Sequence, residues 1–115
     1  MPFVEILYHP HVDEAIVVAV RDRLHQVVGS MFEEFDPDHV VTPAMVDVRC
    51  IPVGRLDAVR PELLVTVLAR EEPARHANRY EIARRLASLT LELAPDLDIM
   101  LEVVLTERAS TYDYP

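Results

Sequence analysis

The sequence predicts a single α/β (α+β) domain of 115 residues, made of two β-α-β halves at 2–52 and 62–107 and a polar tail at 108–115. Two observations support this prediction. Two long stretches repeat apolar residues every three or four positions, which is the period of an amphipathic helix. Each stretch lies between short runs that are β-branched or alternate in polarity, as strands do. We expect a four-stranded mixed sheet with both helices on one face.

The first half begins with a strand over residues 3–8, which ends before Pro10 because proline cannot extend a central strand. A helix follows from Asp13, whose side chain suits an N-cap, and Asp36-Pro37 ends it. The run at 45–51 alternates in polarity and predicts a second strand. The apolar positions of the helix are Ile16, Val20, Leu24, Val27, Met31 and Phe35.

The second half repeats the plan, with a strand at 63–69, a helix opened by Pro73 and a last strand at 97–106. The β-α-β-β-α-β order fits two architectures. One is the ferredoxin-like sandwich, in which successive strands are antiparallel neighbours or split pairs, and the other is a pair of right-handed parallel β-α-β units. Either leaves an apolar sheet face for other subunits to cover. The apolar positions of the second helix are Ile82, Leu86, Leu89 and Leu93.

Charge and composition exclude several classes of partner. A net charge of -9 opposes attraction to phosphate backbones and anionic lipids, and no apolar run is long enough to span a membrane. We therefore expect neither a nucleic-acid partner nor a membrane. The start Met1-Pro2-Phe3 lacks signal-peptide features, and the lone Cys50 cannot form an internal disulfide, so we expect a cytoplasmic location.

Motifs for cofactors and metals are missing from the sequence. Gly29 and Gly54 are its only glycines, which excludes a phosphate-cradling loop and a dinucleotide fingerprint, and we expect no cofactor. His9 and His11 lack a third ligand at a recognisable spacing, so we predict local bonding rather than a metal site. Cys50 lies in a strand pattern and is predicted to be a buried structural thiol. Surface positions are expected for the other histidines, His25, His39 and His76.

Pro2 is the remaining candidate for chemistry. Removal of Met1, which a small second residue permits, makes Pro2 an N-terminal secondary amine, and we expect this removal. A low-dielectric pocket and neighbouring cations would lower the pKa of that amine into the range of a general base. All 11 basic side chains are arginines, which excludes a lysine Schiff base and favours bidentate recognition if a carboxylate is bound.

Three segments resemble the tautomerase superfamily. Residues 2–7, Pro-Phe-Val-Glu-Ile-Leu, resemble the family's catalytic proline and first strand, and residues 46–52, with Arg49, resemble its second strand. Residues 65–70 and the following helix are similar to internally duplicated members such as 5-carboxymethyl-2-hydroxymuconate isomerase. The resemblance extends over nearly the whole chain as a pattern. It implies a cofactor-independent enzyme and a homotrimer.

The resemblance also implies roles for individual residues. Pro2 moves protons, Arg49 and Arg70 bind and polarise a small anionic 2-oxo acid, and Arg75 is a further candidate ligand. The alternative for the arginines is local pairing with Asp47, Glu71 or Glu72.

Two alternatives concern the number of sites and the kind of function. Tyr8-His9-Pro10-His11 stands where shorter members place an arginine, which leaves open a site in only one half. A non-catalytic tautomerase-like or ferredoxin-like oligomeric binding protein is the alternative function.

Overall fold

The computed structural model describes residues 2–107, so the predicted tail with Tyr112 and Tyr114 lies outside the described residues. The predicted β-α-β-β-α-β order is confirmed, and a short 3-10 turn at Pro43–Met45 precedes the second strand. None of the described helices is both long and apolar enough to cross a membrane. The elements are β1 (Phe3–Tyr8), α1 (Glu14–Phe35), β2 (Asp47–Pro52), β3 (Leu63–Arg70), α2 (Pro73–Leu93) and β4 (Ile99–Thr106).

The strands form one mixed sheet in the order β2-β1-β3-β4. Strand β1 is parallel to β2, and β3 is parallel to β4, so each half is a parallel β-α-β unit. The halves join where β1 and β3 pair antiparallel, with Phe3 opposite Leu68. The ferredoxin-like alternative is therefore wrong, because the successive strands β1 and β2 are parallel neighbours.

The core lies between the sheet and the two helices. Alternate residues of the central strands, such as Val4 and Val65, have no exposed surface and face the helices. From α1 the fully buried side chains include Phe32, and from α2 they include Ile82 and Leu86. Both helices contribute to one apolar cluster, which confirms that they cover the same face of the sheet.

The opposite face of the sheet, which we call the open face, carries the other residue of each alternating pair. Its centre is a polar row across all four strands, and on each side lies a row that is apolar except for Asp47 at the β2 edge; we call these the apolar rows. Within the polar row, the Thr66 hydroxyl donates to Glu102 at 3.1 Å. In strand order, the polar row is Arg49, Glu5, Thr66 and Glu102, and the flanking rows are Asp47, Phe3, Leu68, Val104 and Ile51, Leu7, Leu64, Met100.

Gly29 lets the connection between α1 and β2 fold back onto α1. This glycine is buried within the helix, and a Cβ added to it would overlap the backbone carbonyl oxygen of Val41. Val41 is itself buried in the connection. The missing side chain at Gly29 therefore sets how closely residues 36–46 approach the helix.

We expect Gly29→Ala to lower the free energy of unfolding by about 1–3 kcal/mol, the usual cost of overpacking a well-packed interior. Alanine is favoured over glycine by about 1 kcal/mol in a helix interior, so propensity alone predicts the opposite sign. Urea unfolding followed by circular dichroism measures the difference. Ser30→Ala, at the exposed neighbouring position, is the control and should change stability by less than about 0.5 kcal/mol. A Gly29→Ala variant as stable as wild type would contradict the close approach.

Candidate functional site

A cavity of about 160 Å³ lies at the end of the sheet where β1 begins and β3 ends. The antiparallel pairing of these strands brings Pro2 next to Arg70, although they are far apart in sequence. Helix α2 begins at the same end, and the connection from α1 to β2 forms the remaining wall. We call this space the Pro2 cavity. Its lining residues are Pro2, His39, Val40, Val41, Met45, Arg70, Glu72 and Arg75.

Arg70 is the last residue of β3 and lines the cavity with its side chain 43% exposed. Its Nε lies 3.2 Å from Oε1 of Glu72, so the local pairing foreseen as an alternative is present. A guanidinium has five N–H donors, and one ion pair through Nε does not use them all. Arg70 can therefore hold its carboxylate neighbour and still offer donors to an anionic ligand.

Arg75 is held by buried contacts on several sides. Its Nε donates to Oδ2 of Asp36 at 3.1 Å, and both side chains are only 6% exposed. Its Nη1 donates to the backbone oxygen of Arg70 at 3.1 Å, and the guanidinium lies 5.0 Å from the centre of the Phe32 ring. Arg75 thus ties α2 to the end of α1 and positions the end of β3. Its role as a substrate ligand stays a prediction.

Arg49 is not brought to the cavity lining. It lies on the open face in the polar row, with its guanidinium 5.5 Å from the centre of the Phe3 ring. Because Val48 and Cys50 pack against the core, strand alternation directs Arg49 to the other side of the sheet. The structure therefore groups Pro2 with Arg70 and Arg75, while Arg49 is next to Phe3 on the open face.

Sequence reasoning gave His39 and Asp36 no part in this site. His39 is exposed, as predicted, and its Nδ1 lies 3.0 Å from Oδ1 and 2.9 Å from Oδ2 of Asp36. Its Nε2 lies 3.6 Å from Oε1 of Glu72, another lining residue. The available signal was an Asp and a His three residues apart directly after a helix end, where local side-chain bonds are common.

Charges alternate around the cavity. Arg70 contacts Glu72, Glu72 faces His39, His39 contacts Asp36, and Asp36 contacts Arg75. Two arginines balance two carboxylates, and protonation of His39 adds one positive charge. The N-terminus of α2 lies at the same place and adds the positive end of the helix dipole. On a chain with a net charge of -9, the side chains around this cavity are therefore balanced in charge, and the helix dipole adds a positive contribution.

The other candidate groups have local partners. His9 Nε2 bonds the backbone oxygen of Val59 at 2.7 Å, and His11 Nε2 bonds Glu62 at 2.6 Å, as predicted for this pair. Burial raises the pKa of the Cys50 thiol, which disfavours the thiolate needed of a nucleophile. Within residues 2–107, no three His, Cys, Asp or Glu side chains are grouped so as to hold a metal ion.

The opposite end of the sheet, where β3 begins and α1 starts, carries different residues. Aligning the two halves by their helix starts places Pro61 where the first half has Pro2, and His11 where the second half has Arg70. Pro61 lies inside the chain, so its nitrogen belongs to a peptide bond. Hydrogen bonds from His11 and from a backbone N–H hold the pKa of Glu62 below its usual value. Within residues 2–107, the end at Pro2 combines a candidate amine with an arginine-lined cavity, and Pro61 offers no amine at the other end.

Scans against protein-family models and curated proteins find no match. Among solved structures, 5-carboxymethyl-2-hydroxymuconate isomerase from Deinococcus radiodurans R1 is 12% identical, with 98% of this chain and 88% of that chain covered and a TM-score of 0.66. Malonate semialdehyde decarboxylase is 13% identical, with 98% and 91% covered and a TM-score of 0.66. A symmetric trimer of fused 4-OT is 12% identical, with 91% and 85% covered and a TM-score of 0.55.

These three proteins are members of the tautomerase superfamily. Sequence identities this low carry no residue roles to the present chain, but the likeness extends over nearly its whole length. The resemblance predicted from the sequence is confirmed: the chain has the fold of the tautomerase superfamily.

Proposed function

We propose that this protein is a cofactor-independent keto-enol tautomerase or isomerase that acts on a small 2-oxo acid through Pro2. One observation carries the proposal: Pro2 and Arg70 line the same cavity, at the end of the sheet where α2 begins. A base and a cation on one small cavity are what enolisation of an anionic 2-oxo acid requires.

Pro2 supplies the base once Met1 is removed. Its nitrogen is then a secondary amine at the start of β1, in a position that is buried and walled by Val40, Val41 and Met45. Burial disfavours the charged form of this amine, which favours the free base. The amine takes a proton from the carbon next to the carbonyl group and returns it to carbon in the reverse step.

Arg70 supplies the recognition of the anion. Its guanidinium can bind the substrate carboxylate with two N–H donors, which fixes the 2-oxo group beside the amine. Negative charge grows on the carbonyl oxygen as the enolate forms, and a fixed cation beside that oxygen stabilises the charge. Arg75 lines the same cavity and, through its bond to the Arg70 backbone oxygen, holds the end of β3 in place.

Two of the structural neighbours support this chemistry. The Deinococcus radiodurans protein is an isomerase, and malonate semialdehyde decarboxylase was solved as wild type, in an inactivated form and with alanine in place of an N-terminal proline. That second protein has decarboxylase and hydratase activities. We favour isomerase chemistry here because the cavity combines a proton acceptor with an anion-binding group.

We also propose a homotrimer assembled through the open face. The two apolar rows include Met100 and Val104, which are 43% and 36% exposed in the single chain, and residues so placed favour association. The fused 4-OT neighbour forms a symmetric trimer. Arg49 lies in the polar row, so its predicted contact with substrate would have to be made in the assembled protein.

The first test concerns the Pro2 amine. Untagged protein should lose Met1, as intact mass will show, and should speed the ketonisation of a simple enol such as that of phenylpyruvate, followed by ultraviolet absorbance. An uncleaved N-terminal fusion, which keeps Pro2 in a peptide bond, should be slower by about 100-fold to 10,000-fold, the usual contribution of a general base. Pro2→Ala should retain part of the activity because it leaves a primary amine.

The fusion is the matched control, since every side chain of the cavity is unchanged in it. Equal rates for the fused and processed proteins on a panel of 2-oxo acids would contradict the enzyme proposal. In that case the non-catalytic binding protein becomes the better assignment.

The second test concerns recognition of the carboxylate. Arg70→Met should raise KM for a 2-oxo acid about 10-fold to 100-fold, because hydrogen bonds to charged groups contribute about 1.5–3 kcal/mol. Arg60→Met is the control, since Arg60 pairs with Asp98 at the opposite end of the sheet. Steady-state kinetics on both variants measure the effect. An unchanged KM in Arg70→Met would exclude Arg70 as the carboxylate ligand.

The third test concerns assembly. Light scattering should find a trimer for wild type and a smaller species for Leu64→Glu, which places a charge in an apolar row of the open face. Leu56→Glu, at a loop position that is 85% exposed, should remain a trimer. A monomeric wild type, or a trimer unaffected by Leu64→Glu, would argue against assembly through the open face.

A further inference from the structure

His39 is placed as acid-base groups are placed in enzymes. Its Nδ1 faces the carboxylate of Asp36 at 2.9 Å, and its Nε2 lies 3.6 Å from Oε1 of Glu72, which lines the Pro2 cavity together with His39. An ionised carboxylate only accepts hydrogen bonds, so Nδ1 must carry the proton in this contact. In the neutral ring the lone pair is then on Nε2, and in the imidazolium the Nε2–H faces the carboxylate of Glu72 at 3.6 Å.

The carboxylate that orients His39 is itself fixed. Asp36 is 6% exposed and accepts a hydrogen bond at 3.1 Å from Arg75, whose side chain is equally buried. A buried carboxylate bonded to one imidazole nitrogen selects the tautomer and stabilises the imidazolium when the other nitrogen is protonated. By contrast, the side chain of His39 is 47% exposed, so a ligand entering the cavity from solvent can approach it.

We infer that His39 is the second proton-transfer group of the Pro2 cavity, acting at the oxygen of the substrate while Pro2 acts at its carbon. This inference rests on the proposed tautomerase activity. It assigns to the chain a catalytic residue that its motifs did not indicate.

The two groups together account for both protons of a tautomerisation. During ketonisation of an enol, Nε2 of His39 takes the hydroxyl proton, and the O–H electron pair forms the C=O bond. The electron pair of the C=C bond takes a proton from the protonated Pro2 amine. Pro2 finishes neutral and His39 finishes protonated, and proton exchange with water restores both. The reverse reaction uses the same groups in the opposite protonation states.

The test is His39→Ala with chemical rescue. On the phenylpyruvate enol, kcat should fall about 100-fold to 10,000-fold with little change in KM, because a proton-transfer group is lost while Arg70 still binds the carboxylate. Imidazole added to the buffer should raise the rate of His39→Ala in proportion to its concentration, and it should not rescue Pro2→Ala. His76→Ala is the matched control, since His76 bonds Glu71 at 2.9 Å outside the lining of this cavity.

The outcomes separate this inference from the proposed function. A His39→Ala variant as active as wild type, or one whose lost activity imidazole does not restore, overturns the role of His39 while the comparison of fused and processed Pro2 still stands. If that comparison shows no proline-dependent activity, both the proposed function and the inference fail.

Discussion

The antiparallel pairing of β1 with β3 determines most of what is specific to this molecule. It joins two parallel β-α-β units into one sheet, and it sets the start of the chain beside the end of β3. Because of this pairing, Pro2 and Arg70 line the same cavity, although no local sequence motif links them. A slip of one residue in this register would exchange the faces of β1 and turn Val4 and Ile6 from the core to the open face. The packing of the core therefore fixes the geometry of the cavity.

The buried pair of Asp36 and Arg75 links the two halves a second time. Charges out of water need partners, and each of these side chains has more than one. Arg75 bonds Asp36 and the Arg70 backbone, and Asp36 also faces His39. The same contacts that satisfy two buried charges thus orient the imidazole and place the end of β3. The contacts that hold the two halves together and the proton-transfer group proposed for this cavity thus belong to one network, and its hydrogen bonds satisfy an arginine that is buried in the first turn of α2.

Much of the fold was predictable because its signals are local. Helical periodicity, strand-like composition and alternation, and the prolines near element ends predicted each α-helix and strand to within a few residues, but not the 3-10 turn at Pro43–Met45. Strand pairing was not predictable, because the same order of elements permits two sheet topologies. The candidate site was also predictable only in part. Motif positions indicated Pro2 and Arg70 as candidates, whereas the contact of Asp36 with Arg75 joins residues that are far apart in sequence and was not predicted. Arg49 was grouped with the site from its motif alone, although alternation along β2 directs it to the open face.

The charges of the polar row are distributed unequally across the open face. Arg49 lies on the edge strand β2 and Glu102 lies on the opposite edge strand β4, so one edge of the row is positive and the other negative. Two copies related by a two-fold axis along a shared edge would bring like charges together. Copies arranged head to tail bring Arg49 of one near Glu102 of the next, and a series of such contacts either closes into a ring or continues as a filament. The unequal ends of this row of four side chains therefore disfavour a two-fold contact along a shared edge and favour a head-to-tail one.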